Sequence, residues 1–215
     1  MKMTRNEFEI MAPVGCLESL YAAIQGSANS VYFGIQGLNM RSGSANNFTK
    51  EMLPELAKIC RDNGIKSYLT VNTILFDNDI ATMHAIVDAA KEAGISAIIA
   101  SDIATILYAR SRDVEVHIST QVNITNTEAV KFYSQWADVV VLAREVNLVQ
   151  VAEIHRAIVD ENICGPHGEP IKIEMFCHGA LCMAVSGKCY LSLHEADSSA
   201  NRGACRQICR RSYIV

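Results

Sequence analysis

No apolar run in the sequence reaches the roughly 18 residues that a membrane-crossing helix needs, so no transmembrane segment and no membrane partner are expected. No leader-like stretch precedes the first strand-like segment. Residues 1–7 are polar and run straight into it, which makes the cytoplasm the expected compartment. A strong charge of either sign is also missing. Nineteen basic against 23 acidic side chains leave −4, which argues against a basic nucleic-acid-binding surface over the whole molecule and leaves a local patch open. There is no His-Glu-x-x-His, no Gly-x-Ser-x-Gly and no phosphate-binding glycine loop, which weighs against a zinc protease, a serine hydrolase and an NTPase. Long-period repeats and low-complexity linkers are absent as well. The 215 residues, 50% hydrophobic and 20% charged, exclude a disordered or collagen-like chain. They have the length of one domain, or of one domain and part of another.

What is present is alternation. Short apolar runs at residues 8–14, 31–35, 67–72, 97–101, 114–121, 139–143 and 171–178 read as strands. Amphipathic stretches lie between them. Thr49, Asn78 or Asp79, Asp102, Asn126 and Asn147 stand where helix caps belong, and Gly26, Gly64 and Gly94 stand where helices stop. Strand–helix alternation predicts a parallel α/β architecture, which an open doubly wound sheet or a TIM-like barrel would satisfy. Strand polarity favours the barrel. Strands buried on both faces should be almost wholly apolar, yet His117, Ser119, Gln121 and Asn123 fall on one face of the fifth. Tyr68, Thr70 and Asn72 share a face of the third, and Glu174, Phe176 and His178 a face of the seventh. A barrel with a polar upper lumen accounts for this, with about seven strands and therefore one short of closure. Residues 1–180 are expected to form the barrel and 181–215 a cysteine-rich segment.

Eight cysteines are many for a cytosolic chain, and six lie in the last quarter. Thiols in a reducing compartment point to a metal or catalytic site before a disulfide framework. Cys182, Cys189, Cys205 and Cys209 stand at intervals of seven, sixteen and four. Soft thiolates suit zinc or an iron–sulfur cluster. The wide first interval fits a cluster better than the tight pairs of structural zinc. Cys177 and His178, as strand neighbours, would point to opposite faces, so Cys177 is expected in the core and His178 beside Glu174 in the lumen. Arg41, Asn46 and Asn47 follow the second strand, where the site-forming loops of a barrel lie. Arg41 could hold a carboxylate. Arg144 could do so as well, or pair with Glu145. Arg202, Arg206, Arg210 and Arg211 form a local basic run that reads as a solvated face, a counter-charge to a cluster or a contact to RNA phosphate.

Glu-x-Phe-x-His-Gly-Ala-Leu-Cys at 174–182, followed by Ser-Gly-x-Cys-x-Leu-Ser at 186–192, resembles the signature of peptidase family U32, the collagenase-like proteins. Ala12-Pro13-Val14-Gly15-Cys16, Ser30–Gly34, Val71-Asn72, Ser119–Asn123 and Arg144-Glu145 also resemble family segments, so the likeness covers essentially the whole chain. The family name implies a peptidase. Better-understood relatives imply an oxygen-independent RNA hydroxylase, with a tRNA wobble uridine as substrate, prephenate as hydroxyl donor and a 4Fe-4S cluster. On this chain the implied ligands are Cys182, Cys189 and Cys205, with Cys209 as fourth. Arg41, Gln121, Asn123 and Arg144 would fix the dicarboxylate, with Asn47 and Asn72 completing the substrate-binding set. His178 and Glu174 would handle protons. A barrel that binds RNA or a partner subunit without catalysis is a further alternative. Family members are usually longer, so the chain resembles their N-terminal part. The barrel edge this leaves would favour a homodimer.

Overall fold

The computed structural model describes residues 7–40, 42–43 and 47–212. Seven strands form one parallel sheet in the order β1 to β7, each paired to the next in sequence. They are β1 (Met11–Pro13), β2 (Ser30–Phe33), β3 (Lys66–Val71), β4 (Ala97–Ala100), β5 (Val116–Ile118), β6 (Val139–Val141) and β7 (Lys172–Glu174). The helices between them are α1 (Leu17–Gln25), α2 (Leu53–Asp62), α3 (Ile80–Ala93), α4 (Ile103–Ser111), α5 (Thr127–Ser134) and α6 (Leu148–Asp160). A short α7 (Leu191–Ala196) follows β7. The sheet curls into an incomplete TIM-like barrel, with β1 and β7 as its edges among the described residues. No described helix is long and apolar enough to cross a membrane.

Aliphatic side chains drive the curl. Val31, Leu69, Ile98, Val116, Ile118 and Val140 are fully buried against Leu20, Leu56, Met83, Val87, Ile106 and Val130 of the helices. Burial of each such side chain contributes about 1.5–3 kcal/mol. The caps work largely as the sequence implies. The side chain of Asp102 accepts from Ala104 N at 2.9 Å, that of Asn126 from Ala129 N at 2.9 Å, and that of Asn147 from Gln150 N at 3.0 Å. Asp79 differs. It precedes α3 without capping it, and instead accepts from Phe76 N at 2.8 Å and from Arg202 Nη1 at 2.8 Å.

The lower lumen is filled and polar. Tyr68 donates its hydroxyl to Glu9, which also binds Lys66 Nζ at 2.9 Å. His117, 2% exposed, packs its ring 4.5 Å from that of Tyr68 and meets Glu115 Oε1 at 3.0 Å.

Six strands are shorter than the sequence pattern predicts, and two of the corrections matter for function. β5 ends at Ile118. Ser119 then opens a 3-10 turn over Thr120–Val122, closed by Asn123 in the left-handed region at φ 59°. Gln121 and Asn123 therefore project from a turn rather than from a strand face. β7 ends at Glu174, whose carbonyl makes the last ladder bond, to Leu142 N at 3.0 Å. Beyond it residues 175–183 are exposed, so His178 is not on a strand and Cys177 is not in the core. The alternating pattern continues past Glu174, but β6 offers no backbone there to pair with.

Candidate functional site

Loops at the C-terminal ends of the strands enclose a cavity of about 460 Å³. Gly15 and Cys16 follow β1, Asn39, Met40 and Asn47 follow β2, Asn72 follows β3, Ser119, Thr120 and Gln121 follow β5, and Glu174 and Phe176 close the far side. This is the face on which barrel enzymes build their sites. A more open depression of about 520 Å³ adjoins it, sharing Gly15, Cys16 and Asn47 and running toward the start of α1.

The expected residues take distinct places. Asn72 is buried and spends its amide on the scaffold: Oδ1 accepts from Met40 N at 3.2 Å and Nδ2 donates to Ser119 Oγ at 3.1 Å. It thereby holds the loop after β2 against the turn after β5. Asn47 lines both cavities, and its Oδ1 accepts from Asn39 Nδ2 at 3.3 Å. Gln121 lines the cavity with its buried Oε1 unpartnered. Glu174 stands on the cavity wall. Burial first, and the nearby Glu9 carboxylate second, push its carboxyl up to about 7. His178 is exposed and does not line the cavity. Arg41 and Asn46 lie outside the described residues.

Asn123 and Arg144 act on the cysteine-rich segment. Asn123 Nδ2 donates to Ser186 O at 2.7 Å and to Gln121 O at 3.0 Å. Arg144 donates through Nη2 to Ser186 Oγ and, at 3.5 Å, to Ala184 O, in place of a Glu145 ion pair. Ser186 is buried at this junction. Further along, Ile74 N donates to Asn201 O at 3.2 Å, and Asn201 Oδ1 accepts from Cys189 N at 3.0 Å. Arg202 reaches Asp79 and Ile74 O, with its guanidinium 4.3 Å from the centre of the Phe76 ring. That bond holds the Asp79 carboxyl below its usual range. Arg202 is therefore a fastener and not part of a basic face, whereas Arg206, Arg210 and Arg211 are exposed. Gly203, at φ 85°, closes the junction. A Cβ there would fall 2.2 Å from Asn39 O, so only glycine fits. Together these bonds strap residues 184–203 to the loops after β2, β3, β5 and β6, beside the cavity, whose lining includes none of the strapped residues.

All eight cysteines are free thiols. Cys182 and Cys209 are exposed, and Cys189 and Cys205 are half-buried. Soft, unpaired thiols within residues 182–209 have the donor chemistry of a thiolate-held cluster. As arranged, however, no group of three or more His, Cys, Asp or Glu among the described residues is gathered to hold a metal ion. The nearest structural link between the two ends of the segment is Arg210 Nη2 donating to Leu181 O at 3.0 Å, which brings the chain around Cys209 toward that around Cys182.

Sequence reasoning gave no role to Cys16, Asn39, Thr120 or Ser186. Cys16 stands at the N-cap position of α1 and lines both cavities. Thr120 sits in the Ser-Thr-Gln-x-Asn segment, whose strand-like alternation pointed it away from the lumen. The 3-10 turn redirects it to the cavity.

The fold and site define a barrel protein of the TIM-like class, with an amide-rich pocket at the C-terminal mouth beside a cysteine-bearing strap. Residues 15–215 match Peptidase family U32, and the chain belongs to that family. It is 68% identical over 213 residues to "Collagenase" of Porphyromonas gingivalis (strain ATCC BAA-308 / W83), covering 99% of this chain and 51% of that protein. It is 36% identical over 208 residues to "tRNA hydroxylation protein P1" of Bacillus subtilis (strain 168), covering 95% of this chain and 46% of that protein. The chain thus spans about half the length of these curated relatives. The U32 peptidase Mk0906 shares the fold, with a TM-score of 0.60 at 10% identity over 81% of this chain and 70% of that one.

Proposed function

We propose that the chain is the barrel part of an iron–sulfur RNA hydroxylase acting on a tRNA uridine, with prephenate giving up the oxygen. The observation that carries this reading is the strap: Asn123 and Arg144, next to the strand ends that bound the cavity, hold Ser186 and so anchor the segment with Cys182, Cys189, Cys205 and Cys209 beside it. Its support from relatives is the likeness to a tRNA hydroxylation protein.

In the reaction a C–H of the base gains one oxygen and is oxidised by two electrons, while the donor loses that oxygen and is reduced by two. The four thiols would hold the cluster, which supplies one-electron transfer when bound. The protein's own groups bind and orient. Asn72 fixes the loop after β2 against Ser119, and Glu174, balanced between its two protonation states near neutral pH, takes or returns a proton at the cavity wall. Exposed Arg206 and Arg211, with Lys188, border the strap and meet RNA phosphate.

The test is purification of the protein without oxygen, followed by iron and sulfide analysis and mass spectrometry of tRNA nucleosides. Cys182→Ser and Cys189→Ser should lose iron and hydroxyuridine together. Full iron retention in both variants rejects the ligand assignment.

A peptidase reading has one observation in its favour, the 68% identity to a protein named collagenase. The thiol and imidazole it would need to pair, Cys182 and His178, lie on the exposed stretch after β7 and do not line the cavity. Gelatin cleavage by metal-free protein, abolished in Cys182→Ala, would establish it.

A further inference from the structure

We propose that residues 175–183 are a lid on the barrel-mouth cavity, anchored at Glu174 and Ser186 and latched shut through Cys182. The proposal rests on the four thiols sharing one iron–sulfur centre, as read above, and does not require the substrate to be RNA.

The anchors come first. At one end the Glu174 carbonyl accepts from Leu142 N at 3.0 Å, the last bond of the ladder. At the other, Ser186 O accepts from Asn123 Nδ2 at 2.7 Å. The Gly187 backbone then lies so close to the turn after β5 that a Cβ there would fall 3.2 Å from Gln121 O. Between these anchors residues 175–183 are all exposed. Among the described residues their one hydrogen bond is that which Leu181 O accepts from Arg210 Nη2 at 3.0 Å. Gly179 stands in the middle at φ 133°, where a Cβ would meet nothing within 4 Å. Glycine adopts this φ freely, and no neighbour packs there to hold it. A stretch with fixed ends and unbonded, exposed backbone amides rearranges at low cost.

The thiols come second. Cys189 N donates to Asn201 Oδ1 at 3.0 Å. Cys205 Sγ accepts from Gln207 N at 3.4 Å, and the N–H of the next residue, Arg206, donates to Ser192 Oγ at 3.0 Å. Cys209 lies in the 3-10 turn Ile208–Arg210, beside Ile208, which is buried. These three thiols stand on fastened backbone. Cys182 stands on the loose stretch. No three ligands are gathered among the described residues, so the least costly way for four thiols to share one centre is for Cys182 to move toward the others.

Position comes third. Phe176 lines the cavity, so the stretch departs from the cavity wall. Leu181 and Met183, on either side of Cys182, are 64% and 77% exposed. Apolar side chains this exposed gain free energy when they are covered. Closure covers them and shuts water out of the cavity, the usual work of an active-site lid.

The experiment is hydrogen–deuterium exchange of the 215-residue chain, cluster-free and after anaerobic reconstitution with ferrous iron and sulfide. In the cluster-free protein the amides of residues 175–183 should exchange as in an unstructured peptide. Reconstitution should slow them at least about tenfold and leave the strands unchanged. A second readout reports on the cavity itself. Thr70→Cys places a thiol on the cavity lining, away from the four ligands. Its alkylation by iodoacetamide, read by mass spectrometry, should slow at least about tenfold on reconstitution, and strand protection shows that the variant folds. Protection of residues 175–183 without iron overturns the proposal. So does iron-loaded protein in which they stay unprotected, or in which the introduced thiol reacts as fast as before. Hydroxyuridine formation is scored separately. Hydroxylation with an unprotected stretch overturns the lid and leaves the hydroxylase reading standing. Closure without hydroxylation supports the lid and removes the hydroxylase reading. A wild-type chain that takes up no iron removes both.

Discussion

At the scale of single residues, Glu174 shows how a barrel lumen sets chemistry. Its carboxyl is drawn from water and placed near the Glu9 carboxylate, so the folded protein holds the proton up to about pH 7, against an ordinary value of 4.5. The sign follows. The folded state binds this proton more tightly than the unfolded state, so ionisation costs stability progressively from about pH 4.5 to about 7, with the full cost above. Glu174→Gln removes the cost. Its Tm should match that of the wild type near pH 4.5 and exceed it increasingly up to pH 8 in a calorimetric series. An offset independent of pH would contradict the burial argument. Asp79 shows the opposite sign. Arg202 holds its carboxyl low, so the stabilisation is complete above the usual carboxylate pKa and is lost as pH falls through the lowered value. Arg202→Ala should abolish that acid-side dependence and free the strap at Ile74. These pairings were not legible in the sequence, because Asp79 and Arg202 are far apart along the chain and each looked sufficient alone, as a helix cap and as part of a basic run.

At the scale of elements, the 3-10 turn after β5 and the strap after β7 form the site. Both were partly legible. The polar alternation of residues 117–123 located the lumen correctly, but it could not reveal that the strand stops at Ile118. A period of two and a tight turn are indistinguishable over four residues. The strap was visible as a cysteine cluster, whereas its fastening depends on Ser186, Asn201 and Gly203, small residues with no motif of their own. Two substitutions test the fastening. Asn123→Ala deletes the bonds to Ser186 O and Gln121 O and should cost about 1–3 kcal/mol. It should also speed proteolysis within residues 176–190 while the barrel stays intact. Gly203→Ala places a methyl group against Asn39 O at a left-handed φ and should cost at least about 1 kcal/mol, with the same loss of protection. Unchanged protection in both variants would mean the strap is held elsewhere.

At the scale of the whole molecule, the barrel was the most legible feature. Seven apolar runs in parallel order, with helices between them, leave few arrangements, and a polar face on several of the strands favours closure around a lumen over an open sheet. The edge strands β1 and β7 are three residues each, the length at which edges are least prone to pair with other chains. What the sequence pattern could not convey is the division of labour at the mouth, where some polar residues bind scaffold and others face the cavity. Asn72, Asn123 and Arg144 look like ligand-binding residues in sequence and hold loops in the structure. Thr120, unremarkable in sequence, has its hydroxyl free. The central claim is that the thiol-bearing segment and the cavity beside it are one redox site for an RNA base. The most direct measurement is mass spectrometry of tRNA nucleosides after anaerobic incubation of the iron-loaded protein with unmodified tRNA and prephenate. The account predicts hydroxyuridine with the wild type and none with Cys189→Ser. Hydroxyuridine at equal yield from the cysteine variant, or none from fully iron-loaded wild type, would contradict it.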